Sequence, residues 1–184
     1  MGEIEDAIQR ADQDVFTRQP PKNLKARINF LVGRLKTTKA VAAELGVSQR
    51  SVERYRTGER RRPPKPIADR IDAAVRARWQ PKVRRRHRKQ AATATGITVE
   101  TRARFGYTAP IGTTDDGRMR RLTVHLPPAY AHRLFDAQQH GATDQQMRNI
   151  IAEGLQEVYF KDGGHRAAGL EVALTDIDYF DVSY

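Results

Sequence analysis

The chain of 184 residues carries 33 lysines and arginines against 22 aspartates and glutamates, a net charge of +11, and it contains no cysteine. The lack of cysteine excludes a disulfide framework and thiolate metal sites, and the five histidines show no paired spacing that would indicate zinc. No apolar run approaches the length of a bilayer-spanning helix, and the N-terminus lacks the pattern of a signal peptide, so we expect a cytoplasmic protein without membrane partners.

The charge is unevenly distributed along the chain. Residues 20–126 hold 27 Lys and Arg against 8 Asp and Glu, whereas residues 1–19 hold 2 against 5 and residues 127–184 hold 4 against 9. A basic middle between acidic ends is typical of a nucleic-acid-binding protein whose ends have other tasks. We therefore expect association with the nucleoid, and we assign the acidic helices of residues 127–184 to protein partners or self-association.

The first elements are helical. Residues 1–19 have the spacing of a short amphipathic helix that ends before Pro20 and Pro21, either as a small lid or as a partly ordered arm. From Asn23 the apolar stripe beginning at Leu24 and Ile28 predicts a first core helix.

Residues 38–58 have the pattern of a helix-turn-helix. Val41, Ala42 and Leu45 share one face of a first short helix, and Gly46 supplies a left-handed turn. Ser48 then caps a second helix that is buried through Val52 and Tyr55 on one face. An ordinary helical hairpin with a solvated basic face is the alternative interpretation. The opposite face of the second helix carries side chains suited to base edges or phosphates, and we predict DNA contacts for Gln49, Arg50, Arg54 and Arg56.

Two further basic stretches follow. The turn GERRRPPKP contains Arg60, Arg61 and Arg62, which either contact phosphates or belong to a solvated loop. After a helix that closes a four-helix core and ends at Pro81, KVRRRHRK is too densely charged to be core. We interpret it as a DNA-contacting arm or a solvated linker; its basic residues are Lys82, Arg84, Arg85, Arg86, Arg88 and Lys89.

From Ile97 the apolar period changes to two. Residues 97–107 and 121–126 alternate, which predicts a β-hairpin with a basic outer face that lies on a nucleic-acid backbone. Two helices and one more strand follow. We thus predict an α+β fold with an all-helical helix-turn-helix domain at residues 1–81, a basic linker at 82–96 and a small α+β module at 97–184.

The hairpin connection contains Thr113, Thr114, Asp115 and Asp116 between two glycines. No histidine or lysine lies beside the threonines in sequence to act as a base, so a self-contained hydrolase is disfavoured, and we assign the chain no catalytic residue or metal site. A hydroxyl at a loop tip can instead enter another enzyme's active site, where a DNA polymerase supplies the divalent metal and the deoxynucleotide. The aspartates either assist that metal or initiate the turn, and a plain polar loop is the alternative for the whole stretch.

The combination of motifs is more specific than any one of them. TTKAVAAELGVSQRSVERYRTGERRRPP, ETRARFGYTAPIGTTDDGRMR, RLTVHLPP and the ending DYFDVSY resemble the telomere terminal proteins of linear Streptomyces chromosomes and plasmids over essentially the whole chain. The resemblance implies a protein that becomes covalently attached to 5′ DNA ends and primes synthesis of the recessed telomere strand.

The resemblance also implies partners and an acceptor. The partners are telomeric DNA, both duplex and single-stranded 3′ overhang, a telomere-associated protein and a DNA polymerase. The acceptor hydroxyl falls on Thr114 in GTTDDG, with Thr113 as a neighbouring and Thr108 as a weaker candidate. The chain is then a stoichiometric primer at replicon ends rather than an enzyme.

Two other functions fit parts of the sequence. A non-covalent transcriptional or plasmid-copy regulator would use the same helix-turn-helix with residues 97–184 as a dimerisation module. A nuclease or relaxase acting through Tyr107 or Tyr130 would need metal-binding groups near the tyrosine, which the sequence does not place there.

Overall fold

Three consecutive helices of the N-terminal half begin at a capping side chain. In the computed structural model, which describes residues 2–108, 114–161 and 171–184, the Asn23 side chain accepts a hydrogen bond from Ala26 N at 2.8 Å, and Thr37 and Ser48 cap the next two helices in the same way. The elements are α2 (Leu24–Leu35), α3 (Thr38–Leu45), α4 (Gln49–Thr57) and α5 (Lys65–Arg78), preceded by α1 (Glu3–Asp14).

The remaining elements form the α+β part. They are α6 (Pro81–Gln90) with one π-helical turn (Ala91–Thr95), β1 (Ile97–Thr108), β2 (Thr114–Leu126), α7 (Pro128–Gln139), α8 (Asp144–Leu155) with a second π-helical turn (Gln156–Phe160), and β3 (Glu171–Ser183). The predicted fold class, α+β with a helical N-terminal part and a later β-hairpin, is confirmed. No helix among these elements has the length and apolar content to span a bilayer.

The chain divides into two compact units. The helical unit, Phe16–Lys82, contains α2 to α5 around a core to which all four helices contribute. Its fully buried members include Ile28, Leu31, Leu45, Val52 and Tyr55. Trp79 is only half-buried: its ring packs on Phe30 with centroids 5.1 Å apart, and its indole N–H donates to Arg18 O.

The sheet unit consists of residues 1–15 and Val83–Tyr184. Its three strands are antiparallel in the order β2-β1-β3. Because side chains alternate across a strand, Ile97, Val99, Ala103 and Phe105 all face the core. Apolar side chains of α1, α7 and α8 complete that core on the same side of the sheet.

The predicted boundaries need correction at residues 1–15. The apolar face of α1 is completely buried in the core of the sheet unit, so this helix does not belong to a helix-turn-helix domain spanning 1–81. Asp144 of α8 accepts from Ile4 N at 3.0 Å, and Arg148 of α8 pairs with Glu3 at 2.8 Å. These contacts join segments about 140 residues apart, which local sequence patterns do not reveal.

The predicted basic linker at residues 82–96 was also wrong. Pro81 does not end α5, which stops at Arg78; it is the first residue of α6, where its missing N–H costs nothing. The helix runs through the whole basic stretch and continues into the π-helical turn, where Ala91 is fully buried. The supposed linker is therefore an ordered element.

Candidate nucleic-acid interface

The helix-turn-helix geometry follows directly from the residues at its turn. Gly46 has a φ of +61°, and its N–H and that of Val47 close the end of α3 on the carbonyls of Ala42 and Ala43. Val52 and Tyr55 bury α4 in the core. The opposite face of α4 is open, and Gln49, Arg50, Glu53, Arg54 and Arg56 are all exposed.

The exposed side chains of α4 differ in what they contact. The Gln49 amide N–H₂ donates to Thr38 Oγ1 and to Glu53 Oε1, each at 3.0 Å. Arg54 pairs with Glu59, and the distance from Arg54 Nε to Glu59 Oε1 is 2.7 Å. Arg50 forms no ion pair within the described part of the chain, so its guanidinium is available to a ligand.

The three arginines after α4 are not equivalent. Arg60 is half-buried and lies over the Tyr55 ring, 5.7 Å from its centroid. This cation–π contact holds Arg60 close to the end of α4. Arg61 and Arg62 are exposed, as a phosphate contact requires.

Helix α6 sorts its six basic residues into two sets. Four of them are exposed and recur at the spacing of a single helix face, so they form one stripe. We call this set the α6 stripe: Lys82, Arg85, Arg86 and Lys89. Arg84 and Arg88 instead turn inward, with side chains 27% and 23% exposed.

Asp12 of α1 receives the inward arginines. This carboxylate is 4% exposed and accepts two hydrogen bonds from Arg88, at 2.9 and 2.6 Å, with Arg84 at 3.9 Å. The Tyr184 hydroxyl donates a further bond of 2.6 Å. The cluster joins α1, α6 and the residue that follows β3. These contacts attach α6 to the rest of the sheet unit.

The cluster shifts the pKa of two of its members. Burial alone lowers the pKa of Arg88, but the hydrogen bonds and charge of Asp12 outweigh it and the net change is upward. Burial, followed by the charge of Asp12, raises the pKa of the Tyr184 phenol. Sequence reasoning missed Asp12 and Tyr184. The signal that could have identified Asp12 is a carboxylate on the buried face of the amphipathic pattern of α1.

The candidate acceptor lies at the end of the β-hairpin. Thr114 is the first residue of β2 and pairs with Thr108, the last residue of β1. A register shift between Phe105 and Tyr107 marks a bulge just before this end. Thr113 lies outside the described residues, and Asp115 and Asp116 follow Thr114 along the backbone of β2.

The outer face of the sheet is not the basic surface that the sequence predicts. Arg102 pairs with Asp178 at 3.1 Å and Arg104 with Asp176 at 3.2 Å, both across to β3. Arg121 on β2 pairs with Glu100 at 2.5 Å. Since β3 supplies carboxylates that the hairpin alone does not show, this face has mixed charge and does not by itself indicate a backbone-binding surface.

Other chemistry has little support among the described residues. No group of three or more histidine or carboxylate side chains there lies close enough to hold a metal ion. Burial, followed by the charge of Glu157, raises the pKa of the Tyr130 phenol.

The described surfaces therefore comprise the open face of α4, the adjacent arginines, the α6 stripe and a hairpin that ends at Thr114. Comparison of the chain with models of protein families, with curated proteins and with solved structures finds no match. What the chain does has to be argued from these surfaces.

Proposed function

We propose that the chain is a DNA-binding terminal protein of linear replicons, linked to 5′ ends through the Thr114 hydroxyl and priming the synthesis that completes the telomere. The observation that supports this best is the position of Thr114 as the first residue of β2, at the end of the hairpin. An acceptor for another enzyme has to project from its own fold, and a hairpin end is such a place.

The proposed reaction is a nucleotidyl transfer catalysed by a partner polymerase. The Thr114 oxygen attacks the α-phosphorus of a deoxynucleoside triphosphate, a phosphodiester to threonine forms and the bond to pyrophosphate breaks. The hydroxyl proton passes to a base in the polymerase site, whose two metal ions stabilise the leaving pyrophosphate. The 3′-hydroxyl of the attached nucleotide is then extended.

The basic surfaces give this primer its grip on DNA. The open face of α4 carries side chains that can read base edges in a major groove, and the α6 stripe suits phosphates. The two lie on α4 of the helical unit and on α6, which passes into the sheet unit, so both parts of the chain carry cationic groups for a DNA end. The proposed partners are telomeric DNA, a telomere-associated protein and the polymerase.

Mass spectrometry tests the attachment directly. Protein isolated with cellular DNA under denaturing conditions and digested exhaustively with nuclease should yield a peptide with a nucleotide-sized mass addition on Thr114. Thr114→Ala should lose the addition yet bind DNA with unchanged affinity, because no charge is removed. Thr114→Ser, which keeps a hydroxyl, should retain it.

Thr113→Ala is the matched control for the neighbouring hydroxyl and should keep the addition. Loss of the addition in Thr113→Ala but not in Thr114→Ala would move the acceptor by one residue. If every peptide is unmodified and the protein washes off DNA in high salt, the terminal-protein proposal fails and the regulator becomes the better hypothesis.

A further inference from the structure

The open face of α4 contains one carboxylate among its cations. Glu53 is exposed in the middle of the helix, on the same side as Gln49 and Arg50. Within the described part of the chain it forms no ion pair, although arginines flank it; the contact it does make is with the neutral amide of Gln49. Among the described residues, Glu53 is thus a carboxylate without an ion pair in cationic surroundings, which indicates a role other than charge pairing within the chain.

Gln49 holds Glu53 in one arrangement. The Gln49 amide nitrogen donates to Thr38 Oγ1 on α3 and to Glu53 Oε1 on α4, both at 3.0 Å. The hydrogen bond to Thr38 thereby links the Gln49–Glu53 pair to the neighbouring helix α3. With both N–H groups of its amide used in this way, Gln49 has only its carbonyl oxygen left for a ligand, so the pair offers acceptors rather than donors.

If α4 contacted only phosphates, Glu53 would weaken its binding to DNA. Phosphates carry negative charge and have no protons to donate, so a carboxylate facing them is repelled. The groups in a major groove that can donate to a carboxylate are the exocyclic amines of the bases, and Glu pairs most characteristically with N4 of cytosine. Arg50, at the N-terminal end of α4, is placed to donate to a guanine nearby.

We propose that α4 reads DNA sequence, with Glu53 as the residue that selects a cytosine and Gln49 as the residue that positions it. This inference rests on the DNA binding in the proposed function and adds to it a recognised base pair. It does not depend on covalent attachment at Thr114.

Binding-site selection from a randomised duplex library tests the inference in the full-length chain. The wild type should enrich a motif that contains cytosine at one fixed position. Glu53→Ala should lose the preference there by about tenfold or more and keep the rest of the motif. Glu53→Gln should shift the preferred base from cytosine to adenine, because Gln pairs with N6 and N7 of adenine.

Asp69→Asn is the matched control. It removes the same charge from the helical unit, but Asp69 lies on α5 and pairs with Lys65 at 3.2 Å in an exposed position. Its selected motif should equal that of the wild type. Circular dichroism spectra should show both Glu53 variants folded, since the side chain is exposed.

Three results would overturn the inference. They are enrichment of no motif by the wild type, an unchanged motif for Glu53→Ala, and a preference for a base other than cytosine at the position that depends on Glu53. Nucleotide attachment to Thr114, measured separately, would remain in each of these cases, so failure here is distinguishable from failure of the terminal-protein proposal.

Discussion

The buried carboxylate of Asp12 joins three segments that lie far apart in a strongly basic chain. It accepts from Arg88 at 2.6 Å and from Tyr184 at 2.6 Å, and it is 4% exposed. Burying a carboxylate is costly unless cations and hydrogen bonds compensate, and here both are present. The stability of this cluster should therefore depend on the protonation of its members.

Replacing Tyr184 by phenylalanine makes that dependence measurable. Burial, followed by the Asp12 charge, raises the pKa of Tyr184, so the folded state holds the phenolic proton more tightly than the unfolded state does. The resulting stability is complete below the unfolded pKa of about 10 and is lost as the pH rises above it. In urea denaturation, Tyr184→Phe should be less stable than the wild type by about 1–2 kcal/mol at pH 9. At pH 11 the difference in unfolding free energy between the wild type and Tyr184→Phe should be smaller than at pH 9 by about 1 kcal/mol.

Tyr179→Phe is the control for general alkaline effects. The Tyr179 side chain is 45% exposed and its hydroxyl makes no hydrogen bond to another described residue. Its substitution should change the free energy of unfolding by less than about 0.5 kcal/mol at either pH. A constant difference between wild type and Tyr184→Phe from pH 9 to pH 11 would show that the phenol is not held protonated by the fold.

Among the elements, those with local signals were predictable from the sequence. Gly46 and Ser48 define the turn and cap of the helix-turn-helix, and Thr143 with Gln146 forms a capping box at the start of α8. The alternation of β1 and β2 was likewise sufficient to predict their pairing and buried face. Each of these signals acts over a few residues, where sequence spacing and spatial distance agree.

Helix α6 was not predictable because its stabilisation comes from distant residues. Its like charges repel one another, which favours a linker when the stretch is taken alone. The helix forms because Asp12, more than 70 residues earlier, compensates the inward arginines. The outer face of the sheet was mispredicted for the same reason, since the carboxylates of β3 arrive from far along the chain.

The α6 stripe should carry a measurable share of the salt dependence of DNA binding. Changing Lys82, Arg85, Arg86 and Lys89 together to glutamine should lower the log–log salt slope for duplex binding by about 3 to 4, or about 0.9 for each phosphate that is no longer neutralised. The free energy of unfolding should not decrease, because the side chains are exposed and glutamine is a good helix former. Fluorescence anisotropy across a series of salt concentrations measures the slope.

The control for the α6 stripe is a pair of cations in the sheet unit that already have carboxylate partners. Arg133 pairs with Glu153 at 2.5 Å, and Lys161 lies 3.9 Å from Glu157. Arg133→Gln combined with Lys161→Gln should leave the slope unchanged. A slope that is also unchanged in the stripe variant would mean that α6 does not contact the duplex.

At the scale of the whole molecule, the candidate functions are divided between two units with separate cores. The helix-turn-helix lies in Phe16–Lys82, and the hairpin that ends at Thr114 lies in Val83–Tyr184. Residues 1–15 belong to the second unit although they precede the first in the sequence. Local sequence patterns do not predict this arrangement. The proposed DNA-reading face of α4 and the proposed nucleotide acceptor can then be altered independently.

That independence predicts different rescue behaviour for two variants in a nucleotide-attachment assay with polymerase, template and labelled deoxynucleotide. Arg50→Ala should reduce attachment at limiting DNA, because losing a base contact weakens binding by about 1–3 kcal/mol, and saturating DNA should restore it. Thr114→Ala should abolish attachment at every DNA concentration, since no amount of bound template replaces the hydroxyl. Wild-type protein in excess unlabelled competitor DNA serves as the control and should reproduce the Arg50→Ala behaviour. If saturating DNA fails to restore Arg50→Ala, the arginine takes part in presenting the hydroxyl and the two units do not act independently.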